Sequence, residues 1–371
     1  MKILFSNPLE LGRTGAGRPY GYLADYLLNK QTNHEVKFIS GVKLVQELYG
    51  ATAPPESLEH GSLSDLLASF EDLSCHVFLG AGCASLSQIK QLHAQDLYPE
   101  HHYPTEEPRQ HVHAVKTITT WFSTHYQNAS RVLTEEYQRL GVQGQAIDPF
   151  LIWRDVWEHK WSDALIVPSE ACKETYEADP VCKGKVYVAG FGVDSETFHP
   201  SSTEPTDFRV LFAGGNWIRK GLHYLIKAWN ELRLQAVLTI MGTQPNTSNL
   251  WRTNVVGWVP DEQVPEYYRR HTVFCLPTLE EGQALAVLEA MASGLPVITT
   301  RESGAPIEDG KEGLIVPARD VEKLKEAIQY LYNNPSEVKR MGISARKRAE
   351  ELTWSRFGEG VLRVCEEVST K

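Results

Sequence analysis

Several shortages in this sequence each remove a class of function. It has six cysteines in 371 residues, at Cys75, Cys83, Cys172, Cys182, Cys275 and Cys365, with no Cys-x-x-Cys pair. Scattered thiols, some in apolar runs such as Val273–Pro277, read as reduced and buried, and they offer no zinc-ligand spacing. No run of about 18 apolar residues occurs, so no membrane-spanning helix is expected. The opening Met1–Ser6 turns polar too soon for a secretory signal and reads as a strand. With reduced thiols, this makes the cytoplasm the expected location. Positive charge is in deficit: 37 Lys and Arg against 47 Asp and Glu give a net −10. That argues against nucleic acid as a partner and against a broadly cationic membrane-binding surface, though a local basic patch stays compatible. Low-complexity tracts and solenoid-length repeats are absent. No Asp-x-Asp stands where it would hold a divalent cation, so no metal and no cofactor are expected.

What is present is an alternation of short apolar runs and helical patterns. Residues 2–6, 34–40, 75–82 and 115–122 read as strands, with a helix from about Gln127 to Leu140. Ser169 and Glu170 read as a helix start. Pro200 to Asp207 is polar, contains proline and lacks periodicity, which suits a linker. The pattern then restarts. Residues 208–215, 236–242, 254–260, 273–277, 295–299 and 313–320 read as strands. Helices are expected over 222–233, 264–270, 286–293, 321–332, 336–352 and 354–368. This predicts two doubly wound α/β units, 1–200 and 208–353, joined by 201–207, with a last helix in 354–371.

The stretch Pro277–Thr300 carries the strongest chemical signal. It reads as a loop and helix between two strands, which should therefore be parallel. Backbone amides at the carboxyl end of a strand and at a helix start form an anion site. The loop residues are Gly282, Gln283, Ala284, Leu285 and Ala286. Glu281 and Glu289 bracket them. Carboxylates accept hydrogen bonds from hydroxyls, so acids beside a phosphate site suit a nucleoside diphosphate sugar. The two acids alone fit an exposed helix start equally well. A second element lies after residues 208–215: Arg219 and Lys220, in a glycine-flanked loop, suit a diphosphate, with Arg binding bidentately and Lys as a point charge. Alone, they fit a solvated basic turn.

Weaker signals complete the survey. Gly12–Arg18 is a glycine loop between a strand and a helix. It lacks the P-loop ending and the GxGxxG spacing, and so fits a tight turn as well as a ligand loop with Gly15, Gly17 and Arg18. His101, His102, His111 and His113 match no zinc motif, and Pro104 and Pro108 break the helices that would align them. That segment reads as a solvated or acceptor-facing loop. His125, at a strand end before a helix, is placed either to face a cleft or to cap and pack. Trp258, followed by Val259, either stacks on a nucleobase or packs in the core.

Glu281 and Glu289, set in Glu-Gly-x-x-Leu-x-x-Leu-Glu-Ala-Met-Ala-x-Gly-x-Pro-Val-Ile, resemble the signature of the large family four of retaining GT-B glycosyltransferases. The resemblance is strong over roughly 185–360, convincing near 115–200 and weak over 40–113. It implies a GT-B fold with two Rossmann-like domains facing across a cleft, the last helix crossing back to the first. It implies a retaining, metal-independent transfer from a UDP- or GDP-linked sugar to a hydroxyl of a saccharide, lipid-linked or small-molecule acceptor. The rival readings are a GT-B epimerase or phosphorylase, or a non-catalytic nucleotide-sugar binder. The resemblance further implies that Glu281 contacts the donor sugar and Glu289 the ribose. Arg219, Lys220 and the 283–286 amides would hold the diphosphate. His125 would orient the sugar, Gly15 and Gly17 would lie across the cleft, and Trp258 and Val259 would meet the base. Peripheral membrane contact is common in the family. One departure is Gln283-Ala284 where the family usually has Phe-Gly. A second is Gly214-Gly215, where many members carry a further arginine.

Overall fold

The computed structural model describes residues 2–7, 19, 22, 23, 26, 27, 35–40 and 77–81, and 116–371 apart from 144–146, 148, 204, 206 and 246. Gly15, Gly17, Arg18 and the histidines at 101–113 lie outside these residues.

The apolar runs form two parallel sheets. The first contains β1 (Lys2–Asn7), β2 (Glu35–Ser40), β3 (Val77–Ala81), β4 (Lys116–Thr120), β5 (Ala164–Val167) and β6 (Val186–Val188), in the order β2-β1-β3-β4-β5-β6. The second contains β7 (Arg209–Ala213), β8 (Val237–Met241), β9 (Thr253–Gly257), β10 (Val273–Leu276), β11 (Val297–Thr299) and β12 (Gly313–Ile315), in the order β12-β11-β10-β7-β8-β9. Every pairing is parallel. Strands covered by helices on both faces need continuous apolar runs rather than alternation. Val210, Leu211, Phe212 and all of Val273–Leu276 are fully buried.

In the second sheet the chain starts at β7, moves out through β8 to β9, and returns to lay β10 on the other flank of β7. The carboxyl ends of β7 and β10 therefore flank the point where the winding reverses, and open α/β sheets form their ligand crevices there.

The helices, numbered among the described residues, are α1 (Tyr126–Leu140), α2 (Pro149–Trp161), α3 (Glu170–Glu177), α4 (Leu222–Leu232), α5 (Val264–Arg269), α6 (Leu285–Ala292), α7 (Val321–Asn333), α8 (Pro335–Glu350) and α9 (Trp354–Ser369). Ser169, Asp320 and Thr353 cap α3, α7 and α9, each accepting from an amide in the first turn. The last helix packs against β3, β4 and β5. Trp354 stacks on Tyr22 at 4.4 Å between ring centroids. Gly358 is a glycine because a Cβ there would run into the Tyr26 ring.

Three sequence expectations need correction. α2 was not anticipated, because the sequence of Pro149–Trp161 has only a weak helical period in its apolar residues. β4 stops at Thr120, two residues before Phe122, where the chain turns toward the second sheet. β9 ends at Gly257, not at Pro260. A φ of +65° at that glycine turns the chain out and leaves Trp258 78% exposed.

Candidate functional site

Two loops meet at the reversal point. The loop after β7 runs from Gly214 to Gly221. Gly221 takes φ +66°, and a Cβ there would collide with the Pro277 carbonyl, so the start of α4 tucks beneath the loop after β10. Gly214 leaves room for the Lys220 stem, since a Cβ at 214 would lie 2.7 Å from Lys220 Cδ. The Arg219 carbonyl accepts from Leu279 N at 2.8 Å and from Thr278 Oγ1 at 3.0 Å, stitching one loop to the other.

The side chains converge with alternating sign. Lys220 Nζ lies 2.6 Å from Glu281 Oε1, and Arg219 Nη2 lies 3.4 Å from Glu281 Oε2. Arg219 Nε lies 2.7 Å from Glu280 Oε2. Burial acts to raise the Glu281 pKa, but the Lys220 and Arg219 charges outweigh it and hold the carboxyl below its ordinary range. Burial acts to lower the Arg219 pKa, and Glu281 and Glu280 reverse that. Two acids and two bases thus form a neutral set beside the crevice. Among the described residues, Arg219 Nη1 donates to no acceptor, so one edge of the guanidinium remains available to an anion.

Glu281 and Glu289 are each only 8% exposed, which removes the reading of an exposed acidic helix start. Glu289 accepts from the Tyr268 hydroxyl at 2.9 Å. The loop between them is partly engaged. A Cβ at Gly282 would collide with the Phe122 carbonyl, so the backbones of the two halves touch there. Gln283 reaches away from the crevice: its Oε1 accepts from Phe191 N at 2.6 Å and its Nε2 donates to Gly304 O at 3.3 Å. The Ala284 amide donates to Ser303 O at 2.8 Å and its methyl is buried. The expectation of an open run of amides over 283–286 is therefore corrected. Ala284 N is taken. Among the described residues only Gln283, Leu285 and Ala286 of that run have amides without a protein acceptor. Val259 is buried and Trp258 is turned out, so the packed-tryptophan alternative does not hold.

His125 is a buried capping residue. It is 1% exposed and caps α1, its Nδ1 accepting from Gln127 N at 3.3 Å and its Nε2 lying 3.2 Å from Asp179 Oδ2. Burial lowers its pKa, with Asp179 opposing. The capping alternative is the one realised. His125, His159 and Cys182 have potential ligand atoms within 4.8 Å of one another. A neutral ring that accepts at Nδ1 carries its proton on Nε2, facing Asp179, which leaves no lone pair on His125 for a metal.

Sequence reasoning missed Glu280, buried beside Glu281. It also missed Glu136 on α1, which accepts from Tyr224 Oη at 2.6 Å, His223 Nε2 at 2.9 Å and Arg319 Nε at 2.8 Å. The Glu280–Glu281 doublet was the only available sign of the first. The second depends wholly on how the halves meet.

Residues 207–334 match the family model described as Glycosyl transferases group 1. Among curated proteins, the chain is 31% identical over 238 residues to a D-inositol 3-phosphate glycosyltransferase of Pseudarthrobacter chlorophenolicus, covering 55% of this chain and 56% of that one. It is 27% identical over 221 residues to an MMP alpha-(1->4)-mannosyltransferase of Mycolicibacterium hassiacum, covering 55% and 54%. The chain thus spans about half the length of the curated relatives it matches. Among solved structures, sucrose-phosphate synthase from Thermosynechococcus elongatus superposes with a TM-score of 0.70 at 19% identity, covering 99% of this chain and 98% of that one. Anabaena HepE, solved with UDP, superposes at 0.66 and 12% identity, covering 99% and 100%. With two parallel sheets and the Glu281–Glu289 spacing in the matched segment, residues 207–334 are similar to the group 1 glycosyltransferases, and the chain has the GT-B fold.

Proposed function

We propose that this protein is a retaining glycosyltransferase. It moves a sugar from a nucleoside diphosphate sugar to an acceptor hydroxyl without a metal ion. The observation that carries this reading is the convergence of Arg219 and Lys220 from the β7 loop on Glu281 from the β10 loop, with Glu289 buried one turn into α6.

The leaving group is a nucleoside diphosphate, whose negative charge grows as the glycosidic bond breaks. In this reading Arg219 and Lys220 would meet that charge, and the free amides at the start of α6 would turn the positive end of a helix to it. One preorganised donor of this kind is worth on the order of 10²–10³ in rate. These groups do the work that a divalent cation does elsewhere. Glu281 would accept from sugar hydroxyls and Glu289 from the ribose, both as buried, preorganised acceptors. The exposed Trp258 would offer a face to the base. The family resemblance implies retention, by front-side attack in which the leaving phosphate would assist removal of the acceptor proton.

The test is a thermal shift with UDP, GDP and ADP, each with and without a chelator. Stabilisation by one, unchanged by chelation, is the expected result. UDP is the first probe, since HepE was solved with it. Product analysis with donor and acceptor then distinguishes transfer from epimerisation and from binding without turnover, and the anomeric configuration of the product tests retention.

A further inference from the structure

Glu280 belongs to neither signature element, yet it is 2% exposed and is held from both halves of the molecule. Its Oε1 accepts from Thr124 N at 3.1 Å and from Thr124 Oγ1 at 2.7 Å. Its Oε2 takes Arg219 Nε at 2.7 Å, and its own carbonyl takes the same nitrogen at 3.0 Å. Thr124 lies in the turn between β4 and α1, on the first half. Its hydroxyl is oriented in turn, accepting from Asn128 Nδ2 at 3.1 Å while it donates to Glu280.

We propose that Glu280 is a positioning residue that couples the seating of the first half on the second to the orientation of Arg219 toward a diphosphate. The proposal rests on the donor-site reading above. A carboxylate this deeply buried is tolerated only where its oxygens are supplied with donors. Thr124 supplies two of them and Arg219 the third. The guanidinium is planar, so fixing Nε against Glu280 sets the direction of the whole fork and aims the open Nη1 edge. Parting the halves would strip Oε1 of both Thr124 donors and free the carboxylate to turn. The arginine would then lose its fixed aim. Phosphate binding is thereby tied to closure through three residues, Thr124, Glu280 and Arg219.

The test uses the intact protein and four variants: Glu280→Gln, Glu280→Asp, Thr124→Val and Thr124→Ser. Affinities for UDP and GDP are measured by titration calorimetry, and those for uridine and guanosine by ligand-observed NMR. In Glu280→Gln an amide N–H meets the arginine, so affinity for the diphosphate should fall about tenfold, as for loss of one charge-assisted bond, with nucleoside affinity within about twofold. Thr124→Val should give part of that loss, and Thr124→Ser and Glu280→Asp should recover it in part or whole. Unchanged diphosphate affinity in Glu280→Gln and Thr124→Val overturns the proposal. An equal loss for nucleoside and diphosphate also overturns it, since that marks a merely structural role. Should Glu280→Gln not fold, the Thr124 pair decides alone. Wild-type protein that binds neither UDP nor GDP refutes the donor-site reading itself, a different outcome from either.

Discussion

Lys220 Nζ stands 2.6 Å from Glu281 Oε1, so the cation proposed to hold a phosphate already has a carboxylate partner. The pair keeps both charges in a buried place at tolerable cost, and donor binding requires the lysine to be shared between the acid and the phosphate. Removing Glu281 leaves Lys220 without this partner, and removing Lys220 leaves Glu281 with Arg219 Nη2 alone, 3.4 Å away. Lys220→Ala and Glu281→Ala should each lower turnover at least about tenfold, through transition-state contacts rather than unfolding. Steady-state kinetics beside circular dichroism checks this, and full activity in either variant would refute the assignment.

Trp258 offers a cleaner separation of binding from stability. At 78% exposure it contributes little to the core. Trp258→Ala should leave the melting temperature unchanged and weaken nucleoside diphosphate binding about tenfold, the scale of one lost base–aromatic stack. A falling melting temperature with unaltered affinity would return Trp258 to a packing role.

Glu136 joins the two halves at a second place. It is 1% exposed and gathers Tyr224, His223 and Arg319 from the C-terminal half onto α1. Burial acts to raise its pKa, and the bonds from Tyr224, His223 and Arg319 outweigh that to hold it low. Glu136→Ala would leave the Arg319 guanidinium without this partner and should cost about 3 kcal/mol, the scale for breaking a buried pair. Urea unfolding measures it. Faster proteolysis is expected too, because the halves would part more readily.

His271 sets an acid limit on stability. Its Nδ1 lies 2.5 Å from Tyr267 O and its Nε2 2.8 Å from Thr239 Oγ1, so the neutral ring donates once and accepts once. Burial lowers its pKa from 6.5 to about 4. With the folded value below the unfolded one, the unfolded chain binds the extra proton between them. Stability from this group is therefore full above about 6.5 and is lost as pH falls toward about 4. Unfolding free energy measured from pH 7 to 4.5 should decline over that window, and His271→Gln should decline less.

The C-terminal sheet was legible because buried parallel strands leave unbroken apolar runs, and Val273–Leu276 and Val297–Thr299 are such runs. The convergence of Arg219 and Lys220 on Glu281 was legible because all three sit close to glycines in loops that follow strands. Glu280 and Glu136 were not, since a buried acid looks like a surface acid until the partners from the other half are placed. His125 shows the converse. A histidine at a strand end suggested a cleft, and its Nδ1 is instead taken by Gln127 N in the first turn of α1. Helix α2 escaped because its sequence mixes aromatic and charged residues with only a weak helical period.

The packing of α9 on β3, β4 and β5 bears on how the chain is made. Phe357, Val361, Val364, Cys365 and Val368 are buried residues of this helix, and it covers a sheet whose strands lie roughly two hundred residues or more upstream. The ribosome therefore delivers those strands well before their cover. In the interval the sheet waits with that side unprotected, and its folding is completed from the far end of a long loop in sequence.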